Sequence, residues 1–277
     1  MDTLLSAISP SQLQAQRGSA KAALLIDVRR QPAFDGDEHL IAGATWRDPF
    51  TIADWIKFLP RHHHIVVYCV HGYEVSKNAA AALVDAGLSA RYLEGGIEQW
   101  RSIGGMLCRK APALTIPSPI NQPSIWVTRE RPKIDRIACP WLIRRFIDPL
   151  AEFLYVPAAS VMATAKQKNA IAYDVPGVQF THRGDNCSFD ALLEDFALND
   201  PALKELAQIV RGADTGAPEL TPQSSGLLAV SLGLSALYAD DHEMLAQGMI
   251  VYDAFYAWLK SARSETHNAD LFKKRAP

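Results

Sequence analysis

The first 110 residues predict an α/β fold, a parallel sheet with helices on both faces, and the remainder predicts an α+β domain that turns mostly helical toward its C-terminus. Three observations carry this. Short apolar runs alternate with helical segments in the first half, which favours a parallel sheet covered on both sides. Residues 111–124 (APALTIPSPINQPS) hold four prolines, no charge and no apolar period, and so predict an extended linker. Beyond them the strand and helix pattern restarts. At 277 residues the chain exceeds the usual span of one core, so the expected division is 1–110, a linker at 111–124, and 125–277.

Taken in order, Ala23–Val28 is a continuous apolar run of the kind a strand buried on both faces requires. Ile65–Tyr68 is a second. It ends at Cys69, and Val70, His71, Gly72, Tyr73, Glu74 and Val75 lead through one glycine into an Ala-rich helix, Lys77 to Ala86, which Gly87 stops. Ala90–Leu93 is a third strand, followed by Glu94–Trp100 and a Gly104-Gly105 turn. In the second half, Ile125–Thr128, Glu152–Val156 and Ala170–Tyr173 read as strands. A helix is expected after Pro140, a tolerated first-turn residue. Ser188 and Asp200-Pro201 are expected helix starts, and 224–262 at least two helices.

Composition removes several function classes. Lys plus Arg (28) and Asp plus Glu (30) nearly cancel, so the chain lacks the global positive charge of a nucleic-acid or anionic-membrane binder. No apolar run is long enough to span a bilayer, and the N-terminal segment has an acidic residue and no basic stretch. These features predict a soluble cytoplasmic protein with no membrane partner and no nucleic-acid partner. The four cysteines, Cys69, Cys108, Cys139 and Cys187, lie far apart and are expected as free thiols.

Cys69 sits where a strand passes through a tight loop into a helix. Loop N–H groups and the positive end of that helix can stabilise a thiolate or an anionic persulfide there. A packed cysteine at a strand end is the other reading, and the residue types alone leave both open.

Four ordered segments then bear on it: Leu25-Ile-Asp-Val-Arg29, His39-Leu-Ile-Ala-Gly-Ala44, Tyr68-Cys69 with its loop, and Leu93-Glu-Gly-Gly-Ile-Glu-Gln-Trp100. Together they resemble the rhodanese sulfurtransferases. The resemblance implies that Cys69 takes sulfane sulfur from a small donor, thiosulfate or a persulfide, and passes it to a thiol acceptor, with no cofactor required. It implies Asp27 as a structural acid and Arg29 as its neighbour. Glu74 departs from the pattern, because rhodaneses that use thiosulfate commonly carry a basic residue five places after the cysteine. A carboxylate there repels an anionic donor, which leaves His71 or Lys77 as the expected positive charge and weak thiosulfate turnover as the expected result. The competing reading is a non-catalytic thiol or metal sensor.

In the second half, six basic residues against two acids lie between Arg129 and Arg145. Arginine forks suit tetrahedral oxyanions, so Arg136, Arg144 and Arg145 form a candidate anion site, with a solvated helix face as the alternative. Asp174, His182 and Cys187 fall within 14 residues and are candidate ligands for a transition metal, although His-x4-Cys is no strong zinc signature. The run His62-His63-His64 precedes a strand and is expected to be solvated. The block Trp126 to Arg145, with His182, Cys187-Ser-Phe189 and Ile209-Val-Arg-Gly-Ala-Asp214, resembles the C-terminal domain of chromate-resistance regulators. That resemblance implies a role in chromate, oxyanion or heavy-metal stress, with an oxyanion such as chromate as a possible partner.

Overall fold

The computed structural model describes residues 6–20, 22–110 and 123–265. Of the expected linker, residues 111–122 lie outside the described residues.

The first unit runs β1 (Ala7–Ile8), α1 (Pro10–Gln16), β2 (Leu24–Asp27), α2 (Gln31–Asp35), β3 (His39–Ile41), β4 (Ala44–Trp46), α3 (Ile52–Trp55), β5 (Ile65–Tyr68), α4 (Glu74–Asp85), β6 (Ala90–Leu93), α5 (Gly96–Ser102) and β7 (Leu107–Arg109). Five strands form a parallel sheet in the order β1-β6-β5-β2-β4, while β3 and β7 pair antiparallel beside it. Because successive side chains alternate between faces, Leu24, Ile26, Ile65 and Val67 meet α4 through Ala79, Ala80 and Leu83. Leu25, Val66 and Tyr68 meet Leu13 of α1 and Ile97 and Trp100 of α5 on the other face. A strand covered on both sides reads as an unbroken apolar run, which is why β5 shows in the sequence. The helix after Cys69 starts at Glu74, earlier than the Lys77 expected.

The second unit runs β8 (Ile125–Arg129), α6 (Asp135–Phe146), β9 (Glu152–Val156), α7 (Val161–Lys168), β10 (Ile171–Ala172), α8 (Ser188–Asp195), α9 (Pro201–Asp214), α10 (Ser224–Leu237) and α11 (Asp241–Ala257). Its three strands are parallel in the order β10-β8-β9. α6 packs with Trp126 on one face, and Val161 of α7 packs with Val127 on the other. The Asp200 side chain caps α9 at Leu203 N, with Pro201 first in the helix. At α8 the cap is Cys187, one residue before the Ser188 expected, and Asp190 completes a capping box.

α6 corrects a third expectation, since Pro140 lies inside it and does not open it. A proline mid-helix leaves the carbonyl four residues earlier without its N–H. Here that carbonyl belongs to Arg136, and the Tyr173 hydroxyl donates to it at 3.4 Å.

The two units share one core. Ala42 and Cys108 of the first join the main cluster of the second, and the Arg109 amide donates to the Phe196 carbonyl at 2.9 Å. The Arg17 guanidinium is buried at this junction, donating to the carbonyls of Ala42 and Arg145 and lying over the Phe146 ring. Burial pulls it down to about 10. Gly18, at φ +77°, lets Tyr256 approach so closely that a Cβ there would stand 2.2 Å from the ring.

Candidate functional site

Cys69 follows the last residue of the central strand β5, at the carboxyl end of the sheet, and is only 6% exposed. It lies in a cavity of about 720 Å³ lined by Arg29, Arg30, Ala33, Val70, His71, Tyr73, Glu74, Val75 and Lys77. Two glycines shape the loop. Gly72 adopts φ +73°, and a Cβ on it would meet the Leu93 carbonyl at 2.6 Å. A Cβ on Gly96 would stand 2.3 Å from the Cys69 carbonyl, so only glycine allows α5 to hold the loop through Ile97 N→Cys69 O (3.0 Å) and Glu98 N→Val70 O (3.2 Å).

The Ser76 hydroxyl lies 3.2 Å from Cys69 Sγ and bonds the Tyr73 carbonyl at 3.1 Å. The Tyr73 side chain makes no cap for α4. First-turn N–H groups of a helix lack intrahelical acceptors, so those of α4 are available to an anion on the sulfur. Neither Ser76 nor Arg30 is evident from sequence as part of this site. Ser76 lies seven residues beyond the cysteine, and Arg30 reads as a second solvated arginine beside Arg29.

Asp27 and Arg29 act as a clamp below the loop. Arg29 Nε and Nη2 reach Asp27 at 2.6–3.0 Å, Nη1 reaches Asp37 at 2.5 Å, and Nη2 also donates to the His39 carbonyl at 2.9 Å. The Tyr68 hydroxyl donates to Asp27 at 3.1 Å and accepts from Ile41 N at 3.1 Å. Burial pushes the Asp27 carboxyl up, and the Arg29 donors oppose it. With its donors occupied, Arg29 has little left for a donor molecule. The exposed cations on the cavity wall are Arg30 and Lys77, and the wall also carries an exposed Glu74.

The second-domain candidates are distributed differently from the sequence expectation. Arg136, Arg144 and Arg145 do not converge on an anion site. Arg136 donates to the carbonyls of Arg129 and Glu130 and lies 3.4 Å from Asp174. Arg144 lies over the Phe153 ring and bonds the Ala151 carbonyl, and Arg145 is paired bidentately with Asp253 at 2.8 Å. The cause is helical geometry: nine residues at about 100° each turn Arg145 to the far side of α6 from Arg136.

Asp174 and His182 do come together, but Cys187 is not with them. Its buried thiol points to Asp190 at 3.4 Å, and burial pushes it well up. Asp135 and Asp214 take that place. His182 Nε2 lies 3.2 Å from Asp214 Oδ2, 3.4 Å from Asp174 Oδ1 and 3.7 Å from Asp135 Oδ2. Asp135, at the start of α6 and 1% exposed, accepts from Ser188 N (2.7 Å), Phe189 N (3.0 Å) and Cys139 Sγ (3.3 Å). Burial, then the charges of Asp214 and Asp174, push its carboxyl up to about 8. Asp214 is also raised, first by burial. The run His62–His64 stays apart, with His64 Nδ1 2.8 Å from Ser89 Oγ.

Known proteins divide along the same boundary. A family profile described as the rhodanese-like domain matches residues 9–103, and one described as ChrB, C-terminal domain, matches residues 126–259. Protein ChrB of Cupriavidus metallidurans is 37% identical over 139 residues, 50% of this chain and 41% of that protein, so the chain spans less than half of that relative. Thiosulfate sulfurtransferase GlpE of Pseudomonas fluorescens is 38% identical over 96 residues, 34% of this chain and 84% of GlpE. A rhodanese-related protein from Thermoplasma volcanium aligns with TM-score 0.33 and 27% identity over 37% of this chain and 96% of that one. The five-stranded parallel sheet, the glycine-shaped loop at Cys69, the rhodanese-like profile and the GlpE match lead to one conclusion: the chain belongs to the rhodanese-like family through residues 9–103, and its residues 126–259 match the profile of the ChrB C-terminal domain.

Proposed function

We propose that this protein is a sulfurtransferase that carries sulfane sulfur as a persulfide on Cys69. The observation that supports it best is the placement of Cys69 at the floor of its cavity, under a loop closed by Gly72 and Gly96 and before the uncapped start of α4. The Cys69 thiolate attacks the outer sulfur of the donor, and the donor's S–S bond breaks. The electron pair leaves with the remainder, a thiolate from a persulfide or sulfite from thiosulfate. The new Cys69 persulfide is an anion, and the α4 N–H groups stabilise it, joined by the Ser76 hydroxyl once its hydrogen turns from the Tyr73 carbonyl to the sulfur. An acceptor thiolate then takes the terminal sulfur and Cys69 leaves as thiolate.

Glu74 on the wall of the cavity disfavours a doubly charged donor, so the preferred donor is a persulfide, held at the mouth by Arg30 and Lys77. The likeness of the second domain to ChrB suggests that the transfer serves resistance to chromate, other oxyanions or heavy metals. The test is mass spectrometry of wild type and Cys69→Ser after treatment with thiosulfate or a small persulfide. One added sulfur on wild type and none on the variant is expected. No adduct and no turnover with either donor discards the enzyme reading and leaves the non-catalytic thiol or metal sensor, the reading that Glu74 on the cavity wall would then favour.

A further inference from the structure

We propose that Asp135, Asp174, His182 and Asp214 bind a divalent first-row transition cation such as Zn²⁺ or Mn²⁺. One ligand atom each from Asp135, His182 and Asp214 fall within 4.8 Å of one another, and His182 Nε2 also lies 3.4 Å from Asp174 Oδ1. The set is not a surface patch of acids. It includes an imidazole whose Nε2 faces three carboxylates at once, and Asp135 is buried.

Charge balance supports the assignment. Arg129 at 3.0 Å and Arg136 at 3.4 Å offset Asp174. Among the described residues, Asp135 and Asp214 have no Lys or Arg within ion-pair distance, and their only ionisable partner of opposite sign is His182. With His182 neutral, neither Asp135 nor Asp214 has a cation in contact among the described residues, and a divalent ion between them supplies one. Oxygen donors with one imidazole suit Zn²⁺, Mn²⁺ or Fe²⁺ and not a thiophilic monovalent ion.

Topology supplies an independent reason. The chain leaves β8 for β9 on one side and returns to β10 on the other, so the strand order reverses at β8. In open parallel sheets ligands bind at the carboxyl ends of the strands where that reversal occurs. Arg129 ends β8, Asp174 follows β10 by two residues, and Asp135 opens the helix that covers this face. Thr128, at the carboxyl end of β8, is fully buried with a hydroxyl that has no partner among the described residues. Asp135 is braced by two backbone N–H groups of α8 and Asp174 by the Ser188 hydroxyl at 2.9 Å, so the carboxylates are held in place without an ion.

The test uses the full chain, stripped with EDTA and titrated separately with Zn²⁺ and Mn²⁺ by calorimetry, with metal content read by mass spectrometry after gel filtration. One equivalent of at least one of the two ions per chain is expected. His182→Ala and Asp214→Asn should each weaken binding at least about hundredfold, by analogy with the loss of a ligand or its orienting partner, while Cys69→Ser binds as wild type. His182 is 41% exposed, so its variant should keep the far-UV and near-UV spectra of the parent and decides the matter even if Asp214→Asn unfolds. No uptake of either ion, uptake unchanged in His182→Ala, or uptake lost in Cys69→Ser overturns the proposal.

Discussion

The hydroxyl of Tyr173 donates to the carbonyl of Arg136 across 3.4 Å, supplying the bond that Pro140 cannot give from within α6. A residue just past the end of β10, packed in the same core cluster as α6, thus completes a helix that a proline would otherwise break.

Tyr173→Phe should therefore destabilise the protein by about 1 kcal/mol, the usual cost of leaving a buried carbonyl without its donor. The same change in a Pro140→Ala background, where residue 140 regains an N–H, should cost less than half as much. Urea unfolding of the four proteins measures this, and equal costs in both backgrounds would contradict the account.

Ser76→Ala should slow sulfur loading of Cys69 by about tenfold, because a hydrogen bond to a charged sulfur is worth about 1.5–3 kcal/mol and part of it is present before attack. Rates of adduct formation by rapid quench and mass spectrometry check it. A rate equal to wild type would assign Ser76 to structure alone, through its bond to the Tyr73 carbonyl.

Glu74→Lys should raise kcat/KM for thiosulfate by about tenfold and leave the value for a neutral or singly charged persulfide donor within about threefold, since removing a like charge from an exposed cavity wall contributes on the order of 1 kcal/mol. The gain should shrink with added salt, as screening requires. A gain of the same size for both donors would show that the variant alters loop geometry and not charge.

Asp37→Asn should lower stability at neutral pH by about 1 kcal/mol. Burial alone would push the Asp37 carboxyl up, but the His39 amide at 2.9 Å and the guanidinium groups of Arg101 and Arg29 outweigh it and hold the carboxyl below its usual range. A depressed carboxyl contributes stability that is complete above its unfolded value near about 3.9 and is lost as pH falls through the folded one. The difference between wild type and variant should be constant from pH 5 to 7 and shrink below about pH 4. A difference that grows on acidification would reverse the sign of this argument.

Much of the first unit is legible in the chain because its information is local. Ile65–Tyr68 is a strand with the bounds its apolar run suggests, Ala90–Leu93 is the short strand expected after Gly87, and the Cys69 loop follows from one short segment. The second site is not legible, because Asp135 and Asp214 are brought together only when α6 and α9 pack around α8. Its sequence signal, Asp174 with His182, is half of the set, and Cys187 shares only their neighbourhood in the chain. The arginine run shows the opposite error, where closeness in sequence becomes dispersion around a helix.

Arg17, Ala42, Cys108, Phe146 and Tyr256 meet in one interior that belongs to neither half. A protease cut placed between residues 110 and 123 should therefore yield two fragments that stay together through gel filtration and melt in one step. In such a protein the sulfur-handling half is no detachable cartridge: expressed alone to residue 110, it would present to water the surface that now receives Arg145, Phe146 and Tyr256.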